Sequence, residues 1–292
     1  MISTVSPLRN SNSNPPPPAN RGAFSLPAIR NITADQPLRW LVRGARDLRR
    51  GGWLSLLHGL VPAVFGGLLV LLARDRFWLL AGALSGFLVV APVLATSLYA
   101  MSRAIERGEP VNLQLITKTW TDWQHSRYAV RGGYWSMVRF GLLLALAGTG
   151  WVLTSAALIT LLAPVPIHTP ADFLRHVVLA PGHHAFELWL TMGGLLAAPI
   201  FASSVVAMPL LLDRRVDVLQ AVLASWQAVL INPVALAFWA ALIMVLTLLG
   251  LGTLLLGLVV VLPLLGHASW HAYRDLVDAK DLPERLPPQG AA

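Results

Sequence analysis

"VVVLPLLGHASWHAYRDLV", residues 259–277, changes character half-way along: an apolar run gives way at Gly266 to alternating polar and aromatic residues. Taken as one helix, it sets His267, His271 and Asp275 at i, i+4 and i+8, on a single stripe. Such a stretch is either the polar hem of a helix leaving a membrane or a set of ligands. Which of the two it is depends on the rest of the chain.

The composition places the chain in a membrane. Of 292 residues 55% are apolar and 12% charged, about half the charge of an ordinary soluble domain. Lys and Arg (22) exceed Asp and Glu (14), an excess that in a membrane protein records orientation rather than nucleic-acid binding. No cysteine is present, which excludes disulfides, thiolate metal sites and Cys nucleophiles.

Six apolar stretches are long enough for a hydrocarbon core of about 30 Å: 54–73, 77–101, 136–162, 186–212, 233–249 and 251–268. The first pair turns at "RDR" (74–76) and the last at "GLG" (250–252), so both read as tight hairpins, while 163–185 forms a longer loop. With both termini on one side, that side holds 19 of the 22 Lys and Arg, and only Arg74, Arg76 and Arg175 fall opposite. The positive-inside rule then puts both termini in the cytoplasm of an inner-membrane protein. Residues 1–33, with "NSNSNPPPPAN", read as a disordered tail, 34–278 as the membrane domain and 279–292 as a second short tail.

Each hairpin is preceded by a helical segment too polar to span: 37–50, 112–124 and 216–231. In the first, Leu38, Leu41, Val42, Ala45 and Leu48 form an apolar face, with Arg39, Arg43, Arg46, Arg49 and Arg50 largely opposite. Such helices lie in the interface, apolar face down. The second and third share Leu and Gln followed by Trp (Leu113, Gln114, Trp120 against Leu219, Gln220, Trp226). The even-numbered spans carry "VVAPVL", "VVAMPLL" and "VVVLPLL", with Pro92, Pro209 and Pro263 as expected kinks. Together these suggest a threefold internal repeat.

The central parts of the spans hold no ionisable residue, which argues against a proton relay or a charged-substrate pump. A route lined by Thr96, Ser97, Thr154, Ser155, Ser203 and Ser204 would suit a neutral or lipidic solute, although such hydroxyls commonly bond their own helix. Gly-rich phosphate loops, HExxH and Gly-x-Ser-x-Gly are absent, so enzymatic chemistry is disfavoured. In the loop, Thr169, Pro170 and Asp172 read as N-cap, N1 and N3 of a short helix whose Phe173, Leu174, Val177 and Val178 would face the membrane. His168, His176, His183 and His184 cluster around it without ligand-like spacing. The i, i+4 pair His267 and His271 suits a metal, with Asp275 as third ligand. The competing reading makes Trp270 and Tyr273 part of the interfacial aromatic belt, and the histidines headgroup contacts.

Four blocks, "IRNITADQPLRWLVRGARDL" (29–48), "LYAMSRAIERGEP" (98–110), "PLLLDRRVDVLQAVLASWQAVLINP" (209–233) and the opening stretch, resemble an uncharacterised bacterial family of predicted integral membrane proteins, domain of unknown function 2189. The resemblance runs from about 29 to 278 and implies an inner-membrane protein with no assigned catalytic residues. A cytochrome c oxidase label carried by some relatives would need membrane-embedded histidines on several helices. Here His58, His184 and His267 stand only at span ends, so an accessory role beside a respiratory complex is the most the label supports.

The expectation is therefore an all-helical, six-span protein acting without enzymatic chemistry. Arg43, Arg46, Arg49, Arg50, Trp120 and Trp226 are the candidate contacts to anionic lipid and a protein partner in a membrane complex, with no nucleic acid. The alternatives are a carrier of a neutral or lipidic solute, and handling of haem or a transition metal through His267, His271 and Asp275. Absence of any cofactor is the first expectation.

Overall fold

A computed structural model describes residues 26–73, 80, 82, 95–125, 135–180 and 184–285. The described chain is helical apart from one pair of short strands. The helices are α1 (Gln36–Ala73), α2 (Thr96–Arg107), α3 (Leu113–His125), α4 (Trp135–Leu162), α5 (Pro170–Phe173, continued as a π-turn over Leu174–Val178), α6 (Ala185–Ser204), α7 (Ala207–Asp213), α8 (Val218–Ile231), α9 (Pro233–Gly252) and α10 (Leu258–Leu276). Four stretches are long and apolar enough to cross a membrane: Gln36–Leu72, Ser136–Leu162, Ala185–Asp213 and Pro233–Gly252. Most of the expected second span, Pro92 included, lies outside the described residues. The expected sixth coincides with α10, of which only the first half is apolar.

The first and last described segments meet at one end of the bundle. Strand β1 (Ala28–Ile29) pairs antiparallel with β2 (Val277–Asp278), Arg30 N–H donates to the Leu276 carbonyl at 2.8 Å, and the Arg30 guanidinium lies 3.2 Å from Asp278. Asn232, between α8 and α9, accepts from Ile32 N–H (2.9 Å) and donates to the Arg30 carbonyl (3.0 Å). Residues 28–32 are pinned by strand pairing, and Ala279 to Arg285 pack on α7, with Arg285 N–H on the Asp213 carbonyl and Arg215 N–H on Pro283, both at 2.9 Å.

The core lies at this same end. Every residue of α7 is buried, and against it pack Trp40, Tyr99, Phe140, Leu236, Trp239, Trp270 and Tyr273. Trp40 meets Trp239 edge-on, centroids 5.4 Å apart, a favoured arrangement of ring quadrupoles. Toward the other end the helices keep wide apolar faces outward: Val61, Val64, Phe65, Leu68 and Leu71 on α1, Leu142, Leu146 and Leu153 on α4, Met244 and Leu248 on α9. A soluble protein rarely exposes such contiguous surface, whereas lipid covers it.

Local chemistry sets the boundaries. Gly52 breaks α1 into two helices, with φ 57° and ψ −136°, a conformation open to Gly and strained for residues with a Cβ. The break divides the arginine-rich segment from the span. Gly108 (φ 70°) ends α2, its N–H on the Ile105 carbonyl and Glu109 N–H on Ala104. Thr169 and Asp172 form the expected capping box of α5. Val177, however, is buried with Ile159, Ile167 and Ala185, and Phe173 meets Trp189, so these two seal the α4–α6 hairpin instead of facing lipid.

The last hairpin turns at Thr253–Gly257, later than expected, through Leu254 and Leu255 at φ 54° and 71°. Thr253 Oγ1 holds it, donating to the Gly250 carbonyl (2.9 Å) and accepting from Gly257 N–H (2.8 Å). Pro209 follows a break at Val205 and Val206, where Ser225 Oγ of α8 accepts from Val206 N–H at 3.3 Å. Pro263 lies in a helix that continues through it.

Candidate functional site: a buried polar hub on α10

The site is built on the seam between α1 and α10. The two run antiparallel: Asp275 faces Gln36, Trp40 and Arg43, His271 faces Asp47, His267 faces Ser55, and Gly59 faces Val259. The buried stripe of α1 is Trp40, Gly44, Asp47, Gly51, Ser55 and Gly59, spaced three and four apart as one helix face requires. Small residues let the backbones approach: a Cβ on Gly44 would stand 2.8 Å from the Ala268 backbone nitrogen, and one on Gly59 would overlap the Val259 carbonyl oxygen. The face that docks on α10 is not the expected lipid-facing one: Leu38 and Val42 stay exposed, as residues turned to lipid would be.

At the heart of the seam His267 is fully buried. Its Nε2 lies 2.9 Å from Ser55 Oγ and its Nδ1 2.7 Å from Ser102 Oγ of α2. Ser102 donates to Asp47 Oδ2 at 2.8 Å, and His271 Nε2 reaches the same oxygen at 2.9 Å. A hydroxyl carries one proton, and that of Ser102 goes to Asp47, so Ser102 must accept from His267 Nδ1–H. Nε2 is then the acceptor for Ser55 O–H.

Asp275 is held by Gln36 Nε2 (2.6 Å), Trp40 Nε1 (2.8 Å) and the Arg43 guanidinium. Burial disfavours its charge, but the hydrogen bonds from Arg43, Gln36 and Trp40 outweigh that and hold its carboxyl below the ordinary carboxylate value. Trp270 Nε1 donates to Glu106 (2.9 Å), and Arg274 pairs with the same carboxylate at 2.8 Å. Burial works against the Arg274 charge, while Glu106 raises its pKa above the ordinary value. Tyr273 donates to Asp213 (2.8 Å); burial first, then the neighbouring carboxylate, pushes its hydroxyl well above the ordinary range. Asp213 also receives Arg214 at 3.0 Å and Arg107 at 3.7 Å.

The closing stretch packs as an internal polar hub, with Trp270 and Tyr273 buried in protein. His267, His271 and Asp275 turn to different partners, and among the described residues no group of three or more His, Asp or Glu is arranged to hold a metal ion. His58 donates from Nδ1 to the Leu54 carbonyl at 2.7 Å, which leaves its own helix as its partner. In the loop, His184 lies exposed, 3.9 Å from Glu187.

The remaining sequence candidates distribute as follows. Arg46, Arg49 and Arg50 are exposed on α1, whereas Arg43 is half-buried on Asp275. Trp226 donates to Ser203 Oγ at 3.0 Å and Trp189 to Ser155 Oγ at 2.6 Å, so these hydroxyls fasten helices to one another. Ser204 bonds the Ile200 carbonyl of its own helix. Trp120 falls on α3, and its side chain lies outside the described residues. Sequence reasoning missed Asp47, Ser55, Ser102, Glu106 and Asp213. The small residues Gly44, Gly51, Ser55 and Gly59, at helical spacing around Asp47, were the available signal.

Over residues 79–213 the sequence matches the family profile described as predicted integral membrane protein (DUF2189). Over this stretch the chain is similar to the DUF2189 family. The DUF2189 match is shorter than the resemblance at 29–278: it contains α2 to α7, and hence Ser102, Glu106 and Asp213, but neither α1 nor α10. No curated protein and no solved structure matches the chain. The match and the four long apolar helices describe an integral membrane protein.

Proposed function

We propose that this protein is a six-span inner-membrane scaffold, both termini cytoplasmic, that holds anionic lipid and a partner protein on the basic segment of α1. The observation that carries the reading is the order of exposed groups along α1. Arg39, Arg46, Arg49 and Arg50 stand outward with Leu38 and Val42 among them, and immediately after the Gly52 break Trp53 is 64% exposed, followed by outward Leu60, Val61 and Val64. Arginine, then tryptophan, then lipid-facing aliphatic residues is the order that marks a headgroup boundary.

Each arginine near an anionic surface contributes about 1 kcal/mol. Arg39 is partly neutralised by Asp35 at 3.0 Å, and Arg43 belongs to Asp275, which leaves Arg46, Arg49 and Arg50 as the principal contacts. An even number of crossings is in keeping with the meeting of the first and last described segments at one end of the bundle. It is supported too by the position of Gly66 beside Leu255 at the far turn, with α2 back beside Asp47.

The test uses the full chain in nanodiscs of mixed zwitterionic and anionic lipid. Replacing Arg46, Arg49 and Arg50 by Ala lowers the share of anionic lipid that remains with the purified protein; an unchanged share overturns the lipid reading. Because the chain lacks cysteine, single cysteines at Ile32 and Leu254 report topology directly. Labelling of the first only from the cytoplasmic side and of the second only from outside is expected, and the reverse overturns the orientation.

A further inference from the structure

We propose that His267, with Asp47, Ser55 and Ser102, is a binding site for one proton, set in the α1–α10 seam at the membrane boundary. The position follows from the seam itself: His267 stands opposite Ser55, two residues past the exposed Trp53.

The argument rests on the kind of partners the imidazole has. A buried histidine with a purely structural role is normally fixed by a carbonyl or carboxylate that only accepts, which selects one tautomer. Both ring nitrogens of His267 instead meet serine hydroxyls, at 2.9 and 2.7 Å, and a hydroxyl donates or accepts by rotating. In the neutral state Nδ1–H donates to Ser102 and Nε2 accepts from Ser55. On uptake, a proton from water adds to the Nε2 lone pair. Ser55 Oγ then accepts from the new N–H, and its own hydrogen turns to a backbone carbonyl of the preceding helical turn. Ser102 continues to donate to Asp47. Both protonation states are therefore hydrogen-bonded without moving a helix.

The surroundings supply the countercharge. Facing His267 among the described residues are Asp47, Ser55 and His58 from α1, Ser102 from α2, and His271 on its own helix. Glu106 of α2 is turned to Trp270 and Arg274. Asp47, with a side chain 6% exposed, is the buried anion that would balance an imidazolium at His267. His271, whose side chain is 15% exposed, touches Asp47, so the countercharge itself stands one side chain from the surface.

The experiment follows the histidine ¹⁵N resonances of the full-length protein in detergent between pH 4 and 9. The expected result is one titrating histidine that vanishes in His267→Gln and whose proton affinity falls at least about tenfold in Asp47→Asn, the loss expected for a nearby opposite charge. Ser102→Ala, which removes the Nδ1 partner and leaves the imidazole in place, serves if His267→Gln does not fold; it is expected to lower the affinity in the same direction. A His267 signal that does not change across this range, or a titration indifferent to both Asp47→Asn and Ser102→Ala, overturns the proposal.

Discussion

Gly59 lies against the backbone carbonyl of Val259, the carbonyl that Pro263 leaves without a helical donor four residues on. The missing N–H of proline frees this oxygen, and the missing side chain of glycine lets a neighbouring backbone cover it. That pairing explains why α10 passes through Pro263 without breaking, and why α1 packs so closely along it.

Adding a side chain to this seam is expected to destabilise the protein. Gly59→Ala meets backbone that cannot rotate away, for a loss of about 1–3 kcal/mol, and Gly44→Ala behaves similarly. Gly67→Ala, where nothing lies within 4 Å, is expected to be neutral or slightly stabilising by helix propensity. Thermal unfolding of the three variants in one detergent separates them, and equal behaviour of Gly59→Ala and Gly67→Ala would contradict the close approach.

Asp275 gives the acid dependence its sign. Its folded-state carboxyl is held below the ordinary value by Arg43, Gln36 and Trp40, so its stabilisation is present above the unfolded carboxylate value, about 3.9, and is lost as pH falls through the lower folded value. Asp275→Asn is expected to unfold at lower temperature than the wild type near pH 6, with the gap closing below about pH 4. A gap that stays constant with pH would show that charge is not the cause.

The Tyr273 hydroxyl is tested by Tyr273→Phe. The change leaves the ring in place and removes one donor from buried Asp213, for an expected loss of about 1–3 kcal/mol. Hydrogen exchange of residues 279–285 is expected to rise with it, since Arg285 N–H rests on the Asp213 carbonyl. Exchange that rises only in α9 would place the effect elsewhere.

At the far side, Thr169→Ala removes half of a capping box and is expected to cost about 1 kcal/mol locally. Faster hydrogen exchange confined to 169–178 checks it. Global destabilisation would mean that the loop supports the whole bundle.

Part of this architecture was legible residue by residue. Apolar length alone predicts the crossings at Ser136–Leu162 and Pro233–Gly252, and Thr169 with Asp172 predicts its own cap, since caps and spans depend on neighbours in sequence. The amphipathic segment before the first span is equally plain, from the spacing of Arg39 to Arg50. Its protein-docking face was not legible, because hydropathy points to Leu38 and Val42, while the face that packs contains Asp47 and three glycines.

What the sequence by itself determined is that the chain belongs in a membrane, and which of its stretches are long and apolar enough to cross. These follow from transfer free energies and helical period, which are local. What only the tertiary structure decided is the fate of the stripe His267, His271 and Asp275. Its spacing is the same for a metal site, a headgroup anchor or an internal polar hub. Ser55, Asp47, Ser102 and Trp40 selected the hub, and they come from α1 and α2, far away in sequence. A buried polar group is stable only with partners, and those partners exist only once the helices have packed.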